Sequence, residues 1–307
     1  MGTFGVKFWG TRGLVSSPRN ETAIFGGNTP CVQILHENHL ILVDAGFGIT
    51  NLGDHLMPRI INNREELQIH ILFTHFHWDH TQGLPFFKPI YFNSSSLHLY
   101  SPEPETRTLE NLDILFDPNY SPFESLNTMQ AKSSIHSMKG VTDICGLKVE
   151  SIPVQHGNAA HEVHDGHTYA FKFTHPNGGS ICLVTDHEAA PSTVNNKVVD
   201  FAAGCNLLIH DGQYDDQQYT RHHGWGHSTV RQALDNAGRV QPEMTLITHH
   251  DPARNDRELQ SLHRSMMQVP AYRGLKFEFA REEIEYAVSK VAPADLSGLN
   301  AKRPKAG

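Results

Sequence analysis

Short apolar runs, rich in branched and aromatic residues and bounded by Gly, Pro, Asn or Asp, recur along the whole chain. "CVQIL" (31–35), "LILVDAG" (40–46), "IHILFTH" (69–75), "LHLYS" (97–101), "VESIPVQH" (149–156), "YAFKFTH" (169–175), "SICLVTD" (180–186), "NLLIHDG" (206–212) and "MTLITHH" (244–250) share this form, which predicts sheet strands. The opening "MGTFGVKFWG" alternates in the same way. Between the strands, residues 49–63, 193–204, 228–238 and 257–268 carry apolar side chains three and four apart, the spacing of amphipathic helices. Gly204 and Gly238 close two of these segments, where a helix C-cap is expected. Both halves place strands first and then strands mixed with helices, so the pattern predicts a layered α/β sandwich, two mixed sheets inside and helices outside. A chain of 307 residues then reads as one large domain over 1–290. The stretch "VAPADLSGLNAKRPKAG" has no periodicity, and residues 291–307 read as a flexible tail.

Strand after strand ends in an imidazole or a carboxylate: Asp44, His75, His156, Asp186, His210 with Asp211, and His249 with His250. One histidine at a strand end is ordinarily a satisfied surface or core residue. So many such endings gather polar groups at a single rim and call for a joint explanation. The composition sharpens it, because the chain holds 22 histidines and neutral imidazole is the commonest protein metal ligand. With 25 Lys+Arg against 33 Asp+Glu, a net charge of -8 supplies no general pull toward nucleic acid or an anionic membrane. An anionic partner must be held locally, and a metal can supply that charge. The cysteines Cys31, Cys145, Cys182 and Cys205 stand far apart with no C-x-x-C pair, so neither a zinc ribbon nor a dense disulfide framework is implied, and reduced, partly buried thiols are expected. No leader pattern and no apolar run of spanning length is present, so the expected location is cytoplasmic.

The densest chemistry is "FTHFHWDH", residues 73–80. His75 and His77, two apart in a turn leaving a strand, can point to one cation, while Asp79 and His80 reach a neighbouring one. Two cations need about six to eight ligand atoms, so His156, Asp186 and His249 are the candidates for the remainder. T-H-x-H-x-D-H after an apolar strand, followed by a lone His, a lone Asp and a final His at strand ends, resembles the metallo-β-lactamase fold, over about residues 4–280. The resemblance implies an αββα sandwich with one metal on His75, His77 and His156, a second on Asp79, His80 and His249, and Asp186 bridging. It also implies hydrolysis by a hydroxide lying between the cations. Zn²⁺ suits such a ligand set, although Mn²⁺ and Fe²⁺ occupy similar sites.

The fold hosts many hydrolyses, so residues outside the ligands must decide among them. "NLLIHDGQYDDQQYTRHHGWGHSTVRQAL" (206–234) is similar to the branch containing tRNase Z and the cyclic-nucleotide phosphodiesterases. There a strand-end acid and the His of G-H-S-T form a pair beside the metals. Asp211 and His227 match that pair, with Asp where tRNase Z usually has Glu. The resemblance makes His227 the general acid for the leaving group, Asp211 the group fixing its tautomer, and Asp79 an orienting group for the nucleophile. Ser228 is read as the N-cap of the helix that follows. Only about 30 residues separate His156 from Asp186, too few for the tRNA-gripping arm of tRNase Z, and "HDPARND" replaces that family's ending. A small phosphodiester such as a cyclic nucleotide is therefore expected ahead of tRNA or other nucleic acid. A lactonase, a thioesterase and a non-catalytic metal-binding regulator are the further alternatives, and the relatives imply a homodimer. Phe76, Trp78 and Trp225 adjoin site positions, where an aromatic face can stack a base, but core packing is their expected role. His222 and His223 could face a phosphate, His187 and His250 could support ligands, and His161, His164 and His167 read as an incidental loop cluster.

Overall fold

Alternating apolar residues build the first strands, and the computed structural model describes residues 4–119, 121, 128–157 and 168–288. The tail from residue 291 and His161, His164 and His167 lie outside the described residues. In chain order the elements are β1 (Phe4–Gly10), β2 (Cys31–His36), β3 (His39–Val43), α1 (Gly48–Ile61), β4 (Leu67–Leu72), α2 (Trp78–Thr81), β5 (Ser95–Ser101), α3 (Glu105–Ile114), β6 (Lys132–Ser137), β7 (Val141–Ile144) and β8 (Leu147–Val154). There follow β9 (Thr168–Thr174), β10 (Ser180–Val184), α4 (Thr193–Ala202), β11 (Leu207–Asp211), α5 (Asp216–His222), α6 (Val230–Val240), β12 (Met244–Thr248), α7 (Asp256–Met267), β13 (Phe277–Phe279) and β14 (Glu285–Ala287). They form two seven-stranded sheets, ordered β14-β1-β2-β3-β4-β5-β6 and β13-β12-β11-β10-β9-β8-β7. Both sheets are mixed and flanked by helices, the αββα sandwich of the metallo-β-lactamase fold.

Three apolar layers hold the sandwich together. Val6, Phe8, Ile34 and Ile41 of the first sheet meet Phe171, Phe173, Ile181, Ile209 and Leu246 of the second. On the outer face of the first sheet, Leu52 and Leu56 of α1 cover Ile69 and Ile71. On the second, Val198 and Val199 of α4 and Ala237 of α6 cover Val184 and Leu208. Each of the Val, Leu, Ile and Phe side chains among these is worth roughly 1.5–3 kcal/mol when withdrawn from water.

What positions the site is strand direction. In the first sheet β3, β4, β5 and β6 run parallel, and in the second β10, β11, β12 and β13 do. Parallel neighbours require crossover connections, so their C-terminal ends share one rim, and the register aligns Val43 with Leu72, Val184 with His210 and Asp211 with Thr248. Polar residues that follow these ends are brought together although they are remote in sequence.

Several local expectations are corrected. Gly204, with φ of 72°, follows the last turn of α4 as a left-handed glycine should. Gly238 does not cap α6. The apolar face Val230, Ala233, Leu234, Ala237 and Val240 carries the helix past it to Val240, and Gln241 takes the left-handed conformation instead, with φ of 55°. Ser228 is not the N-cap either. Thr229 accepts from the Gln232 N–H, while the Ser228 hydroxyl bonds to the His187 carbonyl and the Ala189 N–H. The polar strand β6 and the helix α3 escape the apolar pattern because β6 is half-exposed at a sheet edge and α3 buries only Thr108 and Leu112. The four cysteines are unpaired thiols. Among the described residues, no helix is long and apolar enough to cross a membrane.

Candidate metal centre

Beyond β4 the chain turns through Thr74–His77 into the single-turn helix α2, which carries Asp79 and His80 inward, both buried. Asp186 follows β10, His249 follows β12 and His156 follows β8. Asp44, Asp186 and His249 have φ of 62°, 50° and 59°, a left-handed backbone that non-glycine residues rarely adopt. Such strain persists where surrounding structure imposes it, and it clusters at functional sites.

The structure brings all seven residues of the expected ligand set together. Donor atoms of His75, His77, His156 and Asp186 lie within 4.8 Å of one another, as do those of Asp79, His80 and His249. Asp186 stands between the two groups with one oxygen toward each. Oδ2 is 3.7 Å from both His75 Nε2 and His156 Nε2, and Oδ1 is 3.2 Å from His80 Nε2 and 3.3 Å from His249 Nε2. Asp79 Oδ2 lies 3.3 Å from His249 Nε2 and 3.5 Å from His80 Nε2. Nε2 of His75, His80 and His249 are nonetheless buried without any hydrogen-bond partner. Leaving such nitrogens unmatched is costly. Imidazole and carboxylate donors converging in this way fit divalent ions.

Burial and charge set the two groups apart. Burial pushes the pKa values of His75, His77 and His156 down, that of His156 to about 4, so these rings offer free lone pairs at neutral pH. Burial opposes charge on His80 and His249 as well, but the carboxylates around them prevail. Asp186, Asp79 and Asp44 raise His80 well above its ordinary value, and Asp186 with Asp79 lifts His249 to about 9. In turn, despite burial, His249 and His80 hold the Asp186 carboxyl well below the usual range. Without a cation, protons on His80 and His249 balance the acids, and a cation would replace them. Zinc loading at pH 7 should therefore release about two protons from these rings, beyond any that a metal-bound water gives up, the ring share from His249 fading as the pH rises through about 9. Calorimetry in buffers of differing ionisation enthalpy measures the count.

Supporting groups fix the rings. Asp44 accepts from His80 Nδ1 at 2.8 Å and from the Thr74 N–H and hydroxyl. Gln213 Oε1 lies 2.9 Å from His249 Nδ1, and the Gly226 carbonyl 2.9 Å from His156 Nδ1. Leu14 N donates to Asp79 Oδ2 at 2.8 Å. Buried Glu188 accepts from the Gly224 and Gly226 N–H groups and the Tyr219 hydroxyl. Two glycines are needed for close approach: a Cβ on Gly13 would sit 2.2 Å from the His249 ring, and one on Gly226 2.3 Å from His156 Nδ1. Asp44 was visible in sequence as a strand-end acid, whereas nothing local marked Gln213 or Glu188. Asp44→Asn is expected to weaken metal affinity about 10–100-fold with the fold intact, as read by chelator competition and circular dichroism.

His227 and Asp211 meet beside this cluster. His227 Nδ1 is 2.8 Å from Asp211 Oδ2, both side chains being buried. The His227 ring stacks on His249 with centroids 4.8 Å apart and meets His156 edge-on at 5.0 Å. Atoms of Asp211 and His227 also come within 4.8 Å of Asp186 and His249, but Nδ1 of His227 is engaged with Asp211. The ring hydrogen bonds of His187 and His250 go to groups outside the ligand set. His187 bonds to Asn195 and the Gln155 N–H, and His250 to the Ala280 carbonyl. His210 faces Asn236 in the layer under α6. His222 stacks on Tyr214, and exposed His223 lies against Tyr219. Phe76 packs on the core, but Trp78 and Trp225 do not. They are 55% and 59% exposed, which overturns the expectation of core packing: Trp78 opens the single-turn helix α2, and Trp225 lies in the turn that follows α5.

A sandwich whose parallel strand ends deliver two groups of imidazole and carboxylate donors, joined by one aspartate, defines a metal-dependent hydrolase of the metallo-β-lactamase fold. The chain belongs to the beta-lactamase superfamily, since the family described as "Beta-lactamase superfamily domain" matches residues 39–250. No curated protein matches the chain. Among solved structures it is similar to a diphosphatase from the PhnP family, at 19% identity and a TM-score of 0.62, covering 93% of this chain and 97% of that one. It is similar to the short form of human tRNase Z at 19% identity and a TM-score of 0.59, over 92% and 98% of the two chains. Unliganded yeast PDE1 aligns at 16% identity and a TM-score of 0.64, over 92% and 99%. At these identities the likeness establishes the fold.

Proposed function

We propose that the protein is a phosphodiesterase that hydrolyses a small phosphodiester such as a cyclic nucleotide, acting in the cytoplasm with two divalent ions, zinc by the chemistry of the donors. His75, His77 and His156 would hold one ion, Asp79, His80 and His249 the other, and Asp186 both. Bound there, the ions would supply Lewis-acid charge to the phosphoryl oxygens and a nucleophile at neutral pH. The observation that carries the reading is the buried His227–Asp211 pair against that cluster. An alkoxide leaving group needs a proton, and His227 is placed to donate it from Nε2 as the bond from phosphorus to the leaving oxygen breaks. Asp211 accepts from Nδ1–H, which fixes the ring orientation and stabilises the imidazolium. Asp79, held by the Leu14 N–H, orients the attacking water. The likeness to a diphosphatase and to tRNase Z supports the phosphate class. Between His156 and Asp186 the described residues form only β9, β10 and their turn, which favours a small substrate over tRNA.

The test is a turnover screen of metal-reconstituted protein with 2′,3′- and 3′,5′-cyclic nucleotides, linear diesters, a precursor tRNA, a lactone and a thioester. Preferential hydrolysis of a cyclic nucleotide or small linear diester is expected. Turnover confined to the precursor tRNA, or to the acyl esters, would replace this reading with that activity.

A further inference from the structure

Two of the three tryptophans face solvent, and both adjoin residues of the candidate metal centre along the chain. Trp9 is buried, whereas Trp78 and Trp225 leave more than half of their surface exposed. The large apolar face of an exposed indole gains from leaving water, and its polar N–H can stay wet while the face is covered. Their attachment is specific. Trp78 follows His77 as the first residue of α2, and Trp225 precedes Gly226, whose carbonyl lies 2.9 Å from His156 Nδ1. His77 Nδ1 and His156 Nε2 are 3.1 Å apart. One indole thus follows a ligand histidine in the chain, and the other precedes the glycine whose carbonyl meets the imidazole paired with that histidine.

Trp225 is held in place. Its backbone N–H donates to the His222 carbonyl at 3.1 Å, and its ring meets His222 edge-on at 4.7 Å. His222 is itself stacked on Tyr214 at 4.8 Å. On either side, the Gly224 and Gly226 N–H groups are pinned by the Glu188 carboxylate at 2.8 and 3.1 Å. A prop of this kind costs a ligand little ordering entropy on binding.

We propose that Trp78 and Trp225 form the platform that stacks the nucleobase of a nucleoside phosphodiester while its phosphate lies at the metal centre; this rests on the phosphodiesterase reading. Flat indole faces suit a planar aromatic group of either base class, since stacking tolerates sequence. A net charge of -8 points to a single base rather than to a polyanionic strand, which would need a basic track.

Two substrates that release the same leaving group separate this role from the rest of the site: thymidine 5′-(p-nitrophenyl phosphate) and ethyl p-nitrophenyl phosphate. Wild type should prefer the thymidine ester. Trp78→Ala and Trp225→Ala should each lower kcat/KM for it about 5- to 100-fold, mainly through KM. Trp→Phe variants should recover most of the loss, and the ethyl ester should change less than about twofold in all of them. Equal losses on both esters, or no loss on either, would overturn the platform. Failure of wild type to cleave both esters would instead remove the phosphodiesterase reading. Indole fluorescence then decides: saturable quenching by thymidine monophosphate, weakened in both alanine variants, supports the platform, and its absence overturns it.

Discussion

Replacing Asp186 with asparagine is expected to lower turnover by about 10³-fold or more and to reduce bound metal, with the fold retained. The two oxygens of Asp186 face different imidazole groups, Oδ2 toward His75 and His156 and Oδ1 toward His80 and His249. No other side chain in the cluster addresses both. Removing its charge would deprive each proposed ion of an anionic donor, and Lewis-acid stabilisation worth several kcal/mol corresponds to a rate factor of that order. Asparagine is the informative substitution. It preserves volume and tolerates the left-handed backbone that Asp186 adopts, with φ of 50°, as Asn commonly does, so a loss of activity cannot be ascribed to backbone strain. Elemental analysis, circular dichroism and kcat/KM on one sample read the three expected outcomes.

His227→Ala should lower kcat for a cyclic nucleotide about 10²–10⁴-fold, the usual contribution of a positioned general acid, with metal content unchanged. The size of the loss should depend on the leaving group. An alkoxide departs poorly without a proton, whereas p-nitrophenolate leaves without one, so the deficit should shrink sharply for bis(p-nitrophenyl) phosphate. Removing a merely structural ring would slow both substrates alike. Because His227 stacks on His249, metal analysis of the variant is the necessary control, and equal activity of variant and wild type on the cyclic nucleotide would refute the role.

The legible part of this molecule was the part written in strand ends. Asp44, His75, Asp186, Asp211 and His249 could be seen as one set because parallel strands deliver their C-terminal ends to the same rim, and periodicity reveals the strands. Which atoms face one another was not legible. The hydrogen bond from His80 to Asp44 and the grip of Glu188 on the 224–226 turn depend on packing between segments far apart in the chain. The α6 terminus shows a different limit. Gly238 is a good local stop signal, but the apolar stripe through Val240 overrides it, since burial outweighs a glycine penalty of about 1 kcal/mol. Trp78 and Trp225 were misread for a related reason. Aromatic residues usually end in the core, and only the packing of segments far apart in the chain reveals that these two stay more than half exposed.

The account depends on two cations sharing Asp186. Elemental analysis of purified, undepleted protein tests this most directly: it should find about two divalent transition ions per chain, falling in Asp186→Asn and unchanged in His227→Ala. Protein carrying no such ion, and binding none on reconstitution while active, would contradict it.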